Sequence, residues 1–235
     1  MKKVIDPIPK KIILKELNDN TFVRNTNFSN HQIFIVDHLN SPKTLLEIGR
    51  LREITFRNAG GGTGKEFDLD DFDTRSEAFY KQLIVWDPDQ KEIIGGYRFI
   101  IGKEVIKAEK HKNLATNELF NFSKDFNDRL LHKTIELGRS FVQPNYQPSS
   151  GNRKAIFSLD NLWDGLGALV VDNPEIKHFF GKVTMYLNFN KKGRDLILSF
   201  MNEIFGDSQK LVIPKKALKL HHDTSYFIKE IKNLP

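Results

Sequence analysis

The chain has 235 residues, of which 39% are hydrophobic, 28% are charged and 19 residues are phenylalanine. This length and composition predict a globular protein that buries about 70% of its extended-chain surface, and they exclude a disordered chain. There is no cysteine, so a disulfide framework, a thiolate nucleophile and a cysteine-ligated metal centre are excluded.

The formal charge of +6 is compatible with binding to nucleic acid, to an acidic protein or to an anionic membrane. The lysines are scattered and no aromatic-basic motif accompanies them, which argues against nucleic acid. The first residues are basic but lack the apolar stretch of a signal peptide, and no apolar run approaches the ~20 residues of a spanning helix. We therefore expect a cytoplasmic protein, with peripheral contact with the inner membrane as an alternative.

Secondary-structure signals follow one another without an internal repeat or a low-complexity linker. In chain order they predict a strand at 32–36, a helix capped by Ser41 with Pro42 in its first turn, a hairpin of strands at 82–87 and 92–101, a strand at 133–142, a helix over about 156–170, a strand near 182–188 and a helix at 193–205. This order indicates an α/β (α+β) architecture with a mixed sheet. We expect one domain over 41–206, an N-terminal extension (1–40) packed on it, and a basic C-terminal segment (207–235).

The last two predicted helices each have an apolar face. These faces comprise Ile156, Leu159, Trp163, Leu166 and Val170 on the first helix, and Ile197, Phe200, Met201 and Ile204 on the second. Their spacing of three and four residues is that of an amphipathic helix.

Two loops resemble known binding motifs, a phosphate loop and a calcium-binding loop, but lack residues that these motifs require. The glycine-rich loop before Lys65 lacks the first glycine and the Ser or Thr of a phosphate loop, and a helix precedes it. Asp68, Asp70 and Asp73 alternate as calcium ligands do, but the central glycine and the closing glutamate of an EF-hand are missing. A solvated acidic loop and recognition of an amine-bearing substrate remain open for these aspartates, and we expect no metal site.

Neither the His and Asp spacing of lipid acyltransferases nor a Gly-x-Ser-x-Gly elbow is present.

Two opposite charges, Glu136 and Arg139, stand in the otherwise apolar strand at 133–142. In a regular strand they would point to opposite faces, whereas a bulge at Gly138 would bring both to one face. A bulge also leaves a backbone N–H outside the ladder, and such a donor can stabilise the oxyanion formed when an amine attacks a thioester. Glu136 could take the proton from that amine, and Arg98 could pair with the acidic residues. A charge pair at the rim of the sheet is the structural alternative.

Four motifs together resemble a known group of enzymes. They are Leu51-Arg52-x-x-x-Phe56, Asp70-Asp71-Phe72-Asp73, Gly96-Tyr97-Arg98 and Glu136-Leu137-Gly138-Arg139. Their order and spacing are similar to those of acyl-homoserine-lactone synthases. They resemble still more the bacterial N-acyltransferases of ornithine-lipid and glycine-lipid synthesis, some of which are labelled "hemolysin". The resemblance covers residues 43–205.

The resemblance implies a GNAT fold: a mostly antiparallel sheet flanked by helices, with a bulged strand and a splayed parallel pair that admits phosphopantetheine. It implies Glu136, Gly138 and Arg139 as catalytic residues. The acceptor side would be formed by Arg52, Phe56, Asp70, Asp73 and Arg98. The donor side would be formed by Phe141, Val142, Ser149, Ser150, Gly151, Asn152 and Arg153.

The implied reaction moves a fatty acyl group, with or without a 3-hydroxyl, to the amine of glycine or ornithine and gives a lyso-aminolipid. The segment Gln147-Pro148-Ser149-Ser150-Gly151-Asn152 departs from the usual GNAT phosphate loop, which favours acyl carrier protein over acyl-coenzyme A as donor, with no tightly bound cofactor. Leu137, Phe141 and the helix bearing Trp163 are candidates to line an acyl tunnel, although ordinary core packing is the favoured explanation of the same residues. The alternatives are an acetyl-coenzyme A-dependent N-acetyltransferase and a non-catalytic basic binding module.

Overall fold

The computed structural model of the chain describes residues 1–110, 113–148, 156–186 and 188–232. The chain divides into two compact units. The first comprises Met1–Leu114 with His132–Gly181, and the second comprises Ala115–Leu131 with Lys182–Pro235.

Seven α-helices and eight strands are formed by the described residues, together with four short 3-10 or π-helical turns. The helices are α1 (Lys10–Glu16), α2 (Pro42–Asn58), α3 (Asp71–Thr74), α4 (Gly102–Lys107), α5 (Ser158–Asp172), α6 (Lys191–Phe205) and α7 (Ser225–Lys232). The strands are β1 (Phe22–Asn25), β2 (Gln32–Val36), β3 (Lys81–Asp87), β4 (Glu92–Ile101), β5 (Phe120–Phe122), β6 (Thr134–Val142), β7 (His178–Gly181) and β8 (Val212–Pro214).

The first unit contains a six-stranded sheet in the order β1-β2-β3-β4-β6-β7. Every neighbouring pair is antiparallel except β6 and β7, which are parallel. That pairing runs from Thr134 opposite His178 to Leu137 opposite Gly181. β6 then continues to Val142, and no strand among the described residues pairs with this far edge. The prediction of a mixed, mostly antiparallel sheet with one parallel pair is confirmed.

Each face of this sheet is covered by helix and has its own hydrophobic core. On one face, α5 packs Leu162, Leu166 and Leu169 against Leu83 and Ile135. On the other face, α1 and α2 pack onto a second cluster. The second cluster comprises Ile13, Phe34, Val36, Ile48, Leu51, Ile84, Trp86, Ile93 and Phe141.

The apolar face expected for the helix over 156–170 is wrong in all but Leu166. Leu159 and Trp163 are 60% and 66% exposed, whereas Leu162, Leu166 and Leu169 are buried. Apolar residues occur all around α5, so their spacing was compatible with more than one buried face. Gly165 decides between them, because a Cβ there would lie 2.5 Å from a Leu83 methyl group. Only this face lets the helix approach the sheet closely.

The strand predicted near 182–188 is also wrong. β7 ends at Gly181, and residues 182–186 form no regular structure. The strand instead uses Phe179 and Phe180, aromatic residues that suit a pleated surface. At Gly181 a Cβ would lie 2.8 Å from the Leu137 carbonyl oxygen.

The second unit contains a short antiparallel pair, β5 with β8, and the helices α6 and α7. The predicted helix at 193–205 is confirmed, with Asn190 as its cap accepting a hydrogen bond from the Gly193 amide at 2.9 Å. Across the described parts of both units, no helix is long and apolar enough to cross a membrane.

Candidate active site

A bulge interrupts β6 beside the acidic residues. Gly96 pairs with Phe141 and Arg98 pairs with Gly138, so Arg139 and Ser140 together stand opposite Tyr97. Arg139 takes a left-handed backbone conformation with φ of 51°. The predicted bulged strand is confirmed, although the extra residue follows Gly138 rather than falling on it.

The bulge reverses the alternation of side chains along β6. Ile135 and Leu137 pack on the α5 side of the sheet, whereas Phe141, also an odd-numbered residue, packs on the α2 side. Glu136 alternates with Ile135 and Leu137 and therefore faces the α2 side, where its side chain is buried. Arg139 contacts aspartates on that same side. The bulge therefore brings both charged residues to one face of the sheet.

Six charged side chains on that face form an acid–arginine cluster. Its members are Arg52 on α2, Asp68 and Asp70 in the loop before α3, Asp73 in α3, Arg98 on β4 and Arg139 on β6. Three aspartates thus meet three arginines, and their formal charges balance.

The base of the cluster is fully buried. The Nε of Arg52 lies 3.3 Å from Oδ2 of Asp68, and its Nη2 lies 3.6 Å from Oδ2 of Asp73. Arg52 Nη1 also donates to Oε1 of Gln82 at 3.3 Å. Gln82 Nε2 in turn donates to Oδ1 of Asp73 at 2.9 Å. The burial of Asp68 and Asp73 contradicts a solvated acidic loop.

The outer part of the cluster reaches solvent through Arg139 and Asp70, whose side chains are 33% and 32% exposed. Arg98 Nη1 donates to Oδ1 of Asp70 at 2.7 Å and to Oδ2 of Asp73 at 3.3 Å. Arg139 Nη2 lies 3.3 Å from oxygens of both Asp68 and Asp70. Asp70 therefore links the exposed arginine to the buried one.

Local backbone bonds hold the aspartates in place. The Asp70 side chain accepts a hydrogen bond from the Phe72 amide at 3.1 Å, and Asp73 Oδ2 accepts one from the Asp70 amide at 3.0 Å. This reciprocal capping box begins α3. Within the described ranges, no group of three or more His, Cys, Asp or Glu side chains could hold a metal ion.

The surrounding charges favour the ionised forms of Asp70 and Arg98. Burial disfavours the charged form of Asp70, but the guanidinium groups of Arg98 and Arg139 outweigh it and lower the pKa of the carboxyl. Burial likewise opposes the charge on Arg98, but Asp73 and Asp70 raise its pKa above the ordinary value. For Arg52 burial prevails and lowers the pKa despite Asp73 and Asp68.

Arg75 joins this region, and the sequence patterns did not indicate it. Its guanidinium carbon lies 4.7 Å from the centre of the Phe72 ring, and its Nε donates to the Ala78 carbonyl at 2.7 Å. Burial lowers the pKa of Arg75, while Asp70 and Glu136 are among the groups that raise it. The sequence signal that could have indicated Arg75 is an arginine close after the capping box and near aromatic residues.

The remaining predicted site residues have other surroundings. Phe56 and Phe141 pack in the core between α2 and the sheet, and Val142 packs on the α5 side. The Val142 carbonyl accepts a hydrogen bond from Gln147 Nε2 at 2.7 Å. Ser149, Ser150, Gly151, Asn152 and Arg153, predicted to contact the donor, lie outside the described residues.

A buried polar network supports the turn that follows β6. Tyr146 donates to Oδ2 of Asp87 at 3.0 Å, and the Tyr146 carbonyl accepts from the Ser158 hydroxyl, in the first turn of α5, at 3.1 Å. His31 Nε2 lies 3.7 Å from the same Asp87 oxygen, and His31 Nδ1 lies 2.9 Å from Asn161 Nδ2. Burial and the Asp87 carboxylate raise the pKa of Tyr146. The network joins the hairpin end of the sheet to the start of α5.

The backbone amides of the glycine-rich loop after α2 donate hydrogen bonds to the carboxylate of Glu53. Glu53 accepts hydrogen bonds from the Thr63 amide at 2.9 Å and from the Gly64 amide at 2.8 Å. Gly62 and Gly64 have positive φ, a conformation that points amides toward one centre. A carboxylate of the chain itself therefore uses these two amide donors.

Comparison with known proteins agrees with this architecture. Residues 51–155 match the model of the acetyltransferase (GNAT) domain family. A protein of Phocaeicola vulgatus named glycine N(alpha)-acyltransferase is 50% identical over 224 residues, which is 95% of this chain and 68% of that protein. A protein of the same name from Bacteroides thetaiotaomicron is 50% identical over 221 residues, 94% of this chain and 65% of that protein.

The chain spans about two thirds of the length of these relatives. Among solved structures, an aminoglycoside acetyltransferase from an uncultured soil metagenomic sample, in complex with sisomicin, matches at 11% identity. That match covers 82% of this chain and 95% of the other, with a TM-score of 0.36. On the family model and the two relatives of shared name, the chain belongs to the GNAT superfamily and is an N-acyltransferase.

Proposed function

We propose that the chain transfers a long-chain acyl group, with or without a 3-hydroxyl, from a carrier-protein thioester to the amine of glycine, giving an N-acylglycine. The observation that carries the proposal is the bulge, because it sets buried Glu136 and partly exposed Arg139 on one face of β6. The names of the two relatives, each 50% identical to this chain, favour glycine over ornithine as acceptor.

The acceptor carboxylate would bind Arg139. Among the described residues, the ion pairs of Arg139 use only Nη2, at 3.3 Å from Asp68 and Asp70. Its Nε and Nη1 are therefore available to a ligand, and either nitrogen could donate one charge-assisted hydrogen bond to the acceptor carboxylate. A small amino acid held in this way would place its amine within the reach of β6, where Glu136 lies.

The chemical step would join the amine nitrogen to the thioester carbon and break the carbon–sulfur bond. The attacking nitrogen loses a proton, which Glu136 would accept directly or through one water. The sulfur leaves as the thiol when it takes up that proton from Glu136, directly or through water, so one proton passes from nitrogen to sulfur overall. The oxyanion that forms between these events would be stabilised by a backbone N–H at the bulge, where the extra residue stands outside the ladder.

The acyl donor would lie along the far edge of β6. From Gly138 to Val142 no described strand pairs with this edge, so an extended pantetheine arm could add to it as a further strand. The space beside Gly138 is open, since the nearest heavy atom to a Cβ added there is Arg98 Nε at 4.0 Å. The arm could therefore pass close to the backbone at this point.

An acidic carrier protein is the donor we favour over free coenzyme A, and basic residues of α4 and the loop after it are candidates to receive it. Lys107 and Lys110 are exposed there, while Lys103 lies 3.9 Å from Glu175. Reversing the charge of Lys107 and Lys110 should raise the KM for acyl carrier protein and leave that for acyl-coenzyme A unchanged. Equal effects on both donors would contradict a carrier site at these lysines.

The experiment for this function supplies acyl carrier thioesters of several lengths with glycine, ornithine or another amine. Thiol release and N-acyl product are measured together. Turnover with glycine and long acyl chains is expected. Turnover restricted to acetyl-coenzyme A would support the N-acetyltransferase alternative, and no turnover with any amine would reject the proposal.

A further inference from the structure

The helix α6 of the second unit turns its polar side inward and its apolar side outward. Asp195 and Ser199 are buried, whereas Ile197 is 53%, Met201 47% and Ile204 48% exposed. Phe200 completes the outward apolar face, which we define as Ile197, Phe200, Met201 and Ile204. A helix on the surface of a protein ordinarily has the opposite arrangement.

Polar contacts fix this orientation. Asp195 accepts hydrogen bonds from the His221 and His222 amides at 2.7 and 3.0 Å. One turn further on, the Ser199 and Thr224 hydroxyls lie 2.7 Å apart. Rotating α6 to bury its apolar residues would break these bonds, so the outward apolar face is built into the unit.

The same part of the chain holds most of the net charge. Residues 182–235 contain ten lysines and arginines against five aspartates and glutamates, which is +5 of the +6 of the whole chain. Lys191, Lys192 and Arg194 belong to the first turn of α6 itself. An outward apolar helix face within a basic segment of the chain is typical of a helix that lies in the surface of an anionic bilayer.

We propose that α6 lies in the surface of an anionic lipid bilayer, with its outward apolar face among the acyl chains and the lysines of residues 182–235 near the headgroups. A second copy of the chain fits this face less well, because two units of the same positive charge would repel each other. An N-acylglycine is an amphiphile that partitions into lipid, so the bilayer is also a suitable place for its release; only this last point rests on the proposed function.

The test is sedimentation of the full chain with vesicles of phosphatidylcholine containing about one third phosphatidylglycerol, without donor or acceptor. Binding to these vesicles is expected at low salt, with weaker binding at high salt and to pure phosphatidylcholine. Substituting both Ile197→Ser and Met201→Ser should weaken binding at least about tenfold, because two apolar side chains no longer enter the lipid.

The matched control carries Leu159→Ser and Val171→Ser, two exposed apolar residues of α5 in the first unit that are 60% and 79% exposed. It should bind vesicles as the unchanged chain does, and thermal unfolding should show that both double variants are folded. Glu136→Gln should also bind normally, which separates this test from the fate of the proposed function. Failure to bind anionic vesicles, an equal loss in the control, or burial of the face in a dimer detected by analytical ultracentrifugation would overturn the proposal.

Discussion

Ile135 and Phe141 lie six residues apart on one strand, yet their side chains pack on opposite faces of the sheet. An even separation keeps two residues of a regular strand on the same face. The extra residue at Arg139 and Ser140 changes this parity. The same irregularity sets Arg139 beside the aspartates of the α2 face, so one backbone feature serves both the core and the candidate site.

The buried base of the cluster should contribute more to stability than its outer part. We predict that Asp73→Asn lowers the free energy of unfolding by about 3 kcal/mol, because it leaves the Arg52 charge buried with less compensation. Asp70→Asn should cost under about 1 kcal/mol, since Asp70 is partly exposed and solvent screens its ion pairs. Denaturant unfolding of both variants measures the difference. Equal losses would contradict the division into base and outer part.

The Asp70 carboxyl should make part of the stability depend on pH. Its pKa in the folded chain is lower than its ordinary value of 3.8, so the stabilisation is complete above about pH 5 and is lost as the pH falls through the folded pKa. The difference in unfolding free energy between the unchanged chain and Asp70→Asn should therefore shrink in acid. This difference is measured by denaturant unfolding at a series of pH values from about 3 to about 7. A difference that grows in acid would contradict this linkage.

Gly138 provides a test of the donor path. Its backbone needs no positive φ and a Cβ has room in the folded chain, so Gly138→Ala should unfold within about 1 kcal/mol of the unchanged chain. If the pantetheine arm passes here, the added methyl group should raise the KM for the acyl donor at least severalfold and leave that for glycine little changed. Gly167→Ala on α5 is the matched control, because a Cβ there meets nothing within 4 Å. Normal donor kinetics in Gly138→Ala would argue against this path.

Tyr146 should stabilise the turn that leads from β6 toward α5. Removing its hydroxyl in Tyr146→Phe takes a hydrogen bond from the buried Asp87 carboxylate and should cost about 1–3 kcal/mol. Tyr97→Phe is a suitable comparison, because Tyr97 is half-buried and its hydroxyl forms no hydrogen bond with the described residues. This substitution should lower the free energy of unfolding by under about 0.5 kcal/mol. Thermal or denaturant unfolding of the two variants measures this. A smaller loss in Tyr146→Phe than in Tyr97→Phe would show that the network is not stabilising.

Much of the sheet could be predicted from local patterns. The strands β2 and β4 begin and end where alternation and turn residues indicated, and α2 begins at Pro42 after Ser41. Such signals act over a few residues and need no knowledge of the fold. The bulge was predictable because two charges of opposite sign occupied positions of opposite parity in an apolar strand.

Other features depend on contacts between residues distant in sequence. Asp87 and Tyr146 are 59 residues apart, and nothing near either indicated the partner. The buried face of α5 depends on Gly165 against Leu83, which only the packed structure reveals. In α6 the apolar spacing correctly indicated a helix, but spacing alone does not say whether the apolar side faces the protein or its surroundings.

In the proposed reaction Glu136 accepts the proton when glycine attacks a long-chain acyl thioester. The most direct test compares the unchanged chain with Glu136→Gln, an isosteric variant that keeps hydrogen-bonding capacity but cannot act as a base. N-acylglycine formation and thiol release are followed as a function of pH. We predict that the unchanged chain makes N-acylglycine and that Glu136→Gln loses at least about 100-fold in kcat while retaining its KM values. The claim would be contradicted by a Glu136→Gln variant that matches the unchanged chain in rate and pH profile.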